Sequence, residues 1–258
     1  MTWQTIDVRG TAVSLYRQGA GDAVLFLHGE DGARTWLPCV GGLAASHELF
    51  IPELPGFGAS EVPEWLDSIH DLAYFYLSAL DGLRPGRVHL VGYSLGGWIA
   101  LEMAIRDPAR LKSLTLIASA GIHLAGVPRG DYWRPPPEEV FRSLFADPAR
   151  AQEILSRPRT PEDERELLKR RWTIARVAWE PPFHNPHLAK WLHRIGAPTR
   201  VIWGEADRFL PPDYAQALAK SIPGAEVSLL PGCGHMPHLE RPAELAAKIG
   251  ESIGKGRA

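Results

Sequence analysis

An α/β domain with a mostly parallel sheet, covered by helices on both faces and interrupted by a helical insertion, is the fold class this sequence predicts. Three observations carry the prediction. Short, nearly continuous apolar runs alternate with amphipathic helical patterns, as expected of parallel strands joined by crossover helices. The alternation breaks once, between about residues 123 and 197. The length of 258 residues, with 45% hydrophobic and 22% charged residues, suits one soluble domain carrying an inserted subdomain.

The first extended runs, around 5–8 and 12–16, are separated by Arg9 and Gly10 and read as an antiparallel hairpin at the sheet edge. AVLFLHG (23–29), ELFIPEL (48–54), RVHLVGY (87–93), LKSLTLIAS (111–119), TRVIWGE (199–205) and AEVSLLPG (225–232) follow, each bounded by Gly, Pro or charge. Their near-continuous apolarity fits central parallel strands. Helical patterns lie between them at 34–46, 67–82, 95–107, 211–221 and 236–252.

The break opens with a proline-rich stretch, VPRGDYWRPPPEEVF, and continues in helix-like segments. The longest of these starts with Thr160 as a cap, Pro161 at the first helical position and acids in the first turn. Leu168, Trp172, Ala175 and Trp179 then form one apolar stripe. It either packs on the domain beneath or walls a ligand pocket. The expected division is a core of 1–122 and 198–258 with a helical cap of 123–197.

Composition excludes several functions. A formal net charge of −2 offers no basic surface for nucleic acid. No run of 18 apolar residues is present, so stable membrane association is not expected. The start lacks a basic segment followed by an apolar core, which makes the cytoplasm the expected location. Only Cys39 and Cys233 are available, too few for a disulfide framework or a thiolate metal site. No metal or organic cofactor is expected.

The chemistry points to residues 88–104, VHLVGYSLGGWIALEMA, where Ser94 stands between Gly92 and Gly96 at the junction of a strand and a helix. Small flanking residues permit a strained turn that holds the hydroxyl clear of the backbone, and Gly97, Ala100 and Ala104 give the helix a thin face toward the sheet. A serine nucleophile needs a base, itself oriented by an acid. His235, in the glycine-rich loop after the last strand run, is the expected base, and His238 is read as a helix-surface or rim residue. Asp207 after TRVIWGE is the expected acid. Glu205 ranks second, and Asp213 reads as a first-turn helix acid. The order Ser94, Asp207, His235 suits three loops leaving one edge of a parallel sheet. Backbone N–H groups of Leu95 and Glu30 are the candidate oxyanion hole, and His28 reads as a structural loop histidine.

LHGEDG (27–32), ELPGFGAS (53–60), GYSLGG (92–97), GEADRFLP (204–211) and GCGH (232–235) together resemble the α/β-hydrolase fold superfamily, in its serine-nucleophile branch with a helical cap. The resemblance spans essentially the whole chain. It implies an eight-stranded, mostly parallel sheet, Ser94 as nucleophile, Asp207 as orienting acid, His235 as base, and an oxyanion hole at Glu30 and Leu95. Relatives commonly carry apolar or small residues where Glu30 and Asp31 stand. A carboxylate beside an oxyanion disfavours it, so these side chains are expected to face solvent; turned inward, Glu30 would select a polar or cationic substrate group. Glu53, an aspartate in many relatives, is expected to lie away from the chemistry.

A serine at position 94 disfavours the dehalogenases and epoxide hydrolases of the superfamily, which use aspartate there. Carboxylesterase action on a small-molecule ester is the expected function. The alternatives are a carbon–carbon bond hydrolase of ring-cleavage products, in which tryptophan usually follows the histidine where Met236 stands here, and a ligand receptor on the same fold. Trp133, Trp172, Trp179 and Met236 are the expected substrate-binding residues, with Tyr132 and Phe183 completing aromatic walls. The sequence leaves the oligomeric state open.

Overall fold

A computed structural model describes residues 2–255. Eight strands, β1 (Thr2–Val8), β2 (Thr11–Gln18), β3 (Asp22–Leu27), β4 (His47–Pro52), β5 (Val88–Tyr93), β6 (Leu111–Ile117), β7 (Thr199–Gly204) and β8 (Glu226–Leu230), form one sheet in the order β1-β2-β4-β3-β5-β6-β7-β8. β2 runs antiparallel to both β1 and β4, and every other pairing is parallel. The expected hairpin is present: Arg9 (φ 55°) and Gly10 (φ 82°) both adopt the left-handed backbone that a two-residue primed turn requires. One strand departs from expectation. The run at 225–232 lies at the sheet edge, paired only with β7, and Leu229 is 36% exposed. An edge strand has one covered flank, so its apolarity alone did not place it centrally.

Among the described residues nine α-helices accompany the sheet: α1 (Leu37–Val40), α2 (Ile69–Leu83), α3 (Leu95–Arg106), α4 (Pro137–Ser143), α5 (Pro148–Leu155), α6 (Pro161–Ala178), α7 (Asp213–Ser221), α8 (Pro237–Glu240) and α9 (Pro242–Lys255). α9 packs on β6 and α1, whereas α3 packs on β5 and α2. All six residues of β5 are buried, which is why central strands carry no polar–apolar alternation. The single helix expected over 34–46 is instead α1 between two 3-10 turns, Ala33–Trp36 and Gly41–Ala45, because Pro38 and the Gly41–Gly42 pair prevent a longer run. The pattern at 236–252 likewise divides at Arg241, ahead of Pro242.

Between β6 and β7 the chain forms α4, α5, α6 and a 3-10 helix at Leu188–Arg194, with one isolated bridge joining Gly121 to His184. α6 begins with a reciprocal capping box: Thr160 Oγ1 accepts from the Asp163 N–H at 3.2 Å, and Asp163 accepts from the Thr160 N–H at 2.8 Å. The helix buries Thr173, Ile174, Val177 and Ala178. The apolar stripe read from the sequence is not packed on the domain beneath: Leu168 is 68% exposed, Trp172 56% and Trp179 56%, and of these three only Trp179 reaches the cavity that touches Ser94. Polar side chains hold α6 in place instead. Lys169 donates to the Gly58 carbonyl (2.8 Å), Arg170 to the Asp31 carbonyl (2.9 Å), and Glu166 accepts from the Gly58 N–H (2.7 Å).

Two features fix the loops at the top of β3, β4 and β5. A Cβ on Gly96 would stand 2.1 Å from the Leu27 carbonyl oxygen, and one on Gly92 2.5 Å from that of Gly96. Only hydrogen fits at either place. His28, fully buried after β3, donates from Nδ1 to the Gly29 carbonyl (2.6 Å) and accepts the Leu54 N–H at Nε2 (2.9 Å), joining the β3 and β4 loops. With both ring nitrogens engaged the imidazole is neutral, and burial above all pushes its pKa down from 6.5 to about 4. Glu53, expected in a remote loop, is also buried here, accepting from Arg34 (3.0 Å) and from the Ala59 N–H (3.0 Å).

Gly96→Ala is expected to lower stability by roughly 1–3 kcal/mol, measured as a fall in the urea midpoint at constant m-value. Because unfolded His28 takes up a proton near pH 6.5 and the folded residue only near 4, stability must rise with pH across that window and level off above it. His28→Gln should remove up to about 1.4 kcal/mol per pH unit from that slope. Urea unfolding at pH 4.5, 5.5 and 7 reads the difference.

Candidate active site

Ser94 follows β5 directly and caps α3 with φ 47° and ψ −111°, a conformation that a non-glycine residue holds only when its surroundings enforce it. The enforcement is visible on both sides. The Ser94 N–H donates to the Ile117 carbonyl (3.0 Å), and its own carbonyl accepts from Ala120 (3.1 Å) and Trp98 (3.1 Å). Leu95 is the first residue of α3, so its N–H belongs to the turn whose amides have no intrahelical acceptor.

The three residues singled out in the sequence converge. His235 Nε2 lies 3.0 Å from Ser94 Oγ, and His235 Nδ1 lies 2.7 Å from Asp207 Oδ2. Asp207 is itself fixed in a turn after β7, its Oδ1 accepting the N–H groups of Phe209 (2.9 Å) and Leu210 (2.8 Å). Glu205 and Asp213 are exposed and make no contact with the ring. All three members of the constellation are buried. Burial works against an imidazolium at His235, yet the Asp207 carboxylate and its hydrogen bond, reinforced by Glu30 and Asp31, hold its pKa above the usual value.

Partners that the sequence reading missed hold the histidine loop. The His235 N–H donates to the Leu144 carbonyl (2.7 Å), Tyr93 Oη donates to the His235 carbonyl (3.0 Å), and Glu240 accepts the N–H groups of Gly234 (2.8 Å) and Ala146 (2.8 Å). Glu240 thereby joins the His235 loop to the segment between α4 and α5. A glutamate on a short helix just after GCGH was its only sequence signal.

Two expectations about side-chain direction are corrected. His238 is not at a rim: it is buried, stacks on Trp36 with ring centroids 4.0 Å apart, and places Nε2 2.8 Å from Asp31 Oδ2. Asp31 and Glu30 do not face solvent. Asp31 also accepts from Thr35 Oγ1 (2.6 Å) and Trp36 Nε1 (3.0 Å), and although burial opposes its charge, His238 and these donors hold its pKa below the usual carboxylate range. The Glu30 side chain is 8% exposed, with Oε1 4.0 Å from His235 Nε2. Burial raises its pKa and favours the uncharged form, which softens its repulsion of an oxyanion. The motif HGEDG carried no signal for either orientation, because the direction depends on Trp36 and α8 packing behind the loop.

Two cavities flank the constellation. The first, about 360 Å³, touches Ser94 and is walled by Tyr132, Trp133, Trp179, Phe183 and Phe209. The second, about 460 Å³, touches Glu30 and is bordered by Tyr132, Phe141, Leu144 and Met236. Trp133, Trp179 and Met236 thus border space beside the site. Trp172 lines neither cavity: α6 turns it outward, where Arg176 lies over its ring. Among the described residues no three His, Cys, Asp or Glu side chains are arranged to hold a metal ion, and no helix is long and apolar enough to cross a membrane. Both cysteines are free and buried.

Comparison with known proteins completes the picture. The chain is 28% identical to a 2-hydroxymuconate semialdehyde hydrolase of Pseudomonas sp. (strain CF600), covering 98% of this chain and 94% of that protein. It is also 28% identical to Lipase 1 of Psychrobacter immobilis, over 88% of this chain and 75% of the lipase. Among solved structures, a membrane phospholipase A superposes with a TM-score of 0.83 at 23% identity, covering 99% of this chain and 86% of that one, a likeness of fold. Residues 24–248 match the Alpha/beta hydrolase family as a unit. With the eight-stranded sheet and its ordered loops, that match places the chain in the alpha/beta hydrolase family.

Proposed function

We propose that the protein is a serine hydrolase that cleaves carboxylic esters through an acyl-enzyme intermediate. The observation that carries this reading is the unbroken relay from Asp207 to His235 (2.7 Å) to Ser94 (3.0 Å) at the end of a central strand. An ester requires nothing beyond that relay, an oxyanion hole and room for its two halves.

In this reading Ser94 Oγ attacks the carbonyl carbon while its proton passes to His235 Nε2. The carbonyl π pair moves to oxygen, which rests on the N–H groups of Leu95 and Glu30. The tetrahedral adduct collapses, the carbon–oxygen bond breaks, and His235 returns the proton to the leaving alcohol. Water then repeats the sequence: its proton goes to His235, the acid departs, and Ser94 Oγ recovers the proton. Asp207, held by two backbone amides, keeps the proton on Nδ1 so that Nε2 is free to act as base. The segment 123–197 acts as a cap, supplying Tyr132, Trp133, Trp179 and Phe183 to the wall beside Ser94.

A second reading, hydrolysis of a carbon–carbon bond in a ring-cleavage product, is favoured by the likeness to the Pseudomonas semialdehyde hydrolase over nearly the whole chain. The same relay serves both. Purified protein assayed on p-nitrophenyl esters of graded acyl length separates them. Repeated turnover is expected, falling by at least about a thousandfold in Ser94→Ala and in His235→Ala, with thermal unfolding of Ser94→Ala near that of the parent. Turnover of a ring-cleavage dienoate with no ester turnover would favour the second reading, and undiminished activity in Ser94→Ala would exclude both.

A further inference from the structure

Glu30 is the one group in the site that the relay does not explain. Its side chain is buried beside the Ser94 hydroxyl and the His235 ring, and neither carboxyl oxygen makes a hydrogen bond of normal geometry to a described residue. A buried polar group without a partner costs free energy that an apolar side chain of the same size would not. The next residue shows the contrast: Asp31, on the same loop, is satisfied through Oδ2 by Thr35, Trp36 and His238. No lysine or arginine forms an ion pair with Glu30 among the described residues. Asp31 Oδ1 also lacks a partner, but Oδ2 ties Asp31 to its surroundings, whereas neither oxygen of Glu30 is tied in that way.

Position tells what Glu30 meets. Its Oε1 lies 4.0 Å from His235 Nε2, the nitrogen that in an ester hydrolase returns a proton to the departing oxygen. The two cavities divide along the same line, since the first touches Ser94 and the second touches Glu30, with Tyr132 bordering both. Tyr132, Trp133, Trp179, Phe183 and Phe209 give the first its aromatic walls, together with the charged Arg129, Asp131, Arg134 and Glu180. The second is largely apolar and sets Glu30 and Asp31 beside Arg170 and Arg171 of α6.

Building on the ester reading, we infer that Glu30 is a specificity-determining residue whose carboxyl takes a hydrogen bond from a hydroxyl or ammonium group on the leaving alcohol, two carbons from the ester oxygen. The substrate class is then an ester of a diol, a polyol or an amino alcohol. Binding such an alcohol supplies a donor to one of the two carboxyl oxygens. A plain alkyl alcohol leaves the carboxyl buried and unpaired, and the site discriminates against it for that reason.

The test uses four butyrate esters that all form the same butyryl-enzyme, so that differences in kcat/KM report acylation alone. Propyl and 2-hydroxyethyl butyrate form one near-isosteric pair; 3-methylbutyl and 2-(dimethylamino)ethyl butyrate, the latter protonated at neutral pH, form the other. The parent protein should prefer the donor-bearing member of each pair by about tenfold relative to Glu30→Met, the order expected for one hydrogen bond. In Glu30→Met, which keeps the backbone N–H, both ratios should collapse. Binding an ammonium draws the Glu30 carboxyl into its charged form, so Glu30→Gln, whose neutral amide oxygen still accepts, should keep the hydroxyl preference and lose the ammonium one, and it decides the matter alone if the Met variant does not fold. Ratios in the parent equal to those in Glu30→Met overturn the inference, as does an ammonium preference surviving in Glu30→Gln. Failure of the ester reading shows itself differently, as no turnover of any of the four.

Discussion

Backbone packed directly on backbone around Ser94 is the constraint from which the rest of the site follows. β5 must turn into α3 within one residue, and α3 must then lie close enough to β3 that Gly96 meets the Leu27 carbonyl and Gly92 meets that of Gly96 without any side chain between them. These contacts hold Ser94 at a positive φ, which costs on the order of 1–3 kcal/mol by itself. That cost is met by a core in which β5 is buried on both faces and α3 is buried from Leu95 to Ala104. The result is a hydroxyl presented at the C-terminal end of a central strand by a tightly packed part of the molecule.

The remaining groups reach that hydroxyl by less rigid means, and each has its own anchor. Asp207 is gripped by two amides of its own turn, and His235 by Leu144, Tyr93 and, through Gly234, Glu240. His28 does the same for the loop bearing Glu30, since one neutral ring joins the β3 and β4 loops. Electrostatics then divides the ionisable groups by function. Asp31 is stabilised as an anion by His238 and two donors, whereas Glu30, equally buried but unpaired, is driven toward the neutral form. Two adjacent carboxylates of one loop thus have opposite character because only one of them has partners.

What the sequence revealed and what it concealed divide on the same physical ground. The sheet, the elbow and the Ser94–Asp207–His235 order were legible because each rests on local signals: apolar runs, glycines that permit close approach, and acids or histidines just past strand ends. The choice of Asp207 over Glu205 was legible for the same reason. The direction of a side chain set by a distant element was not. Trp172 shares its helical stripe with Leu168 and Trp179, yet polar anchors at Glu166, Lys169 and Arg170 leave Leu168 and Trp172 toward solvent while Trp179 reaches the cavity beside Ser94. His238 looked like a surface residue until Trp36 and Asp31, some two hundred positions earlier, closed over it. The edge position of β8 was hidden because a strand's apolarity records how well its faces are covered rather than how many neighbours it has.

The central claim is that Ser94 carries the acyl group between two half-reactions. The most direct measurement mixes enzyme with excess p-nitrophenyl butyrate, follows p-nitrophenol in the first turnover, and maps the acid-quenched protein by peptide mass spectrometry. The account predicts a butyryl adduct on the peptide containing Ser94, absent from Ser94→Ala, with any burst of p-nitrophenol no larger than one equivalent per chain. An adduct on another side chain, or unchanged release of p-nitrophenol by Ser94→Ala, would contradict it.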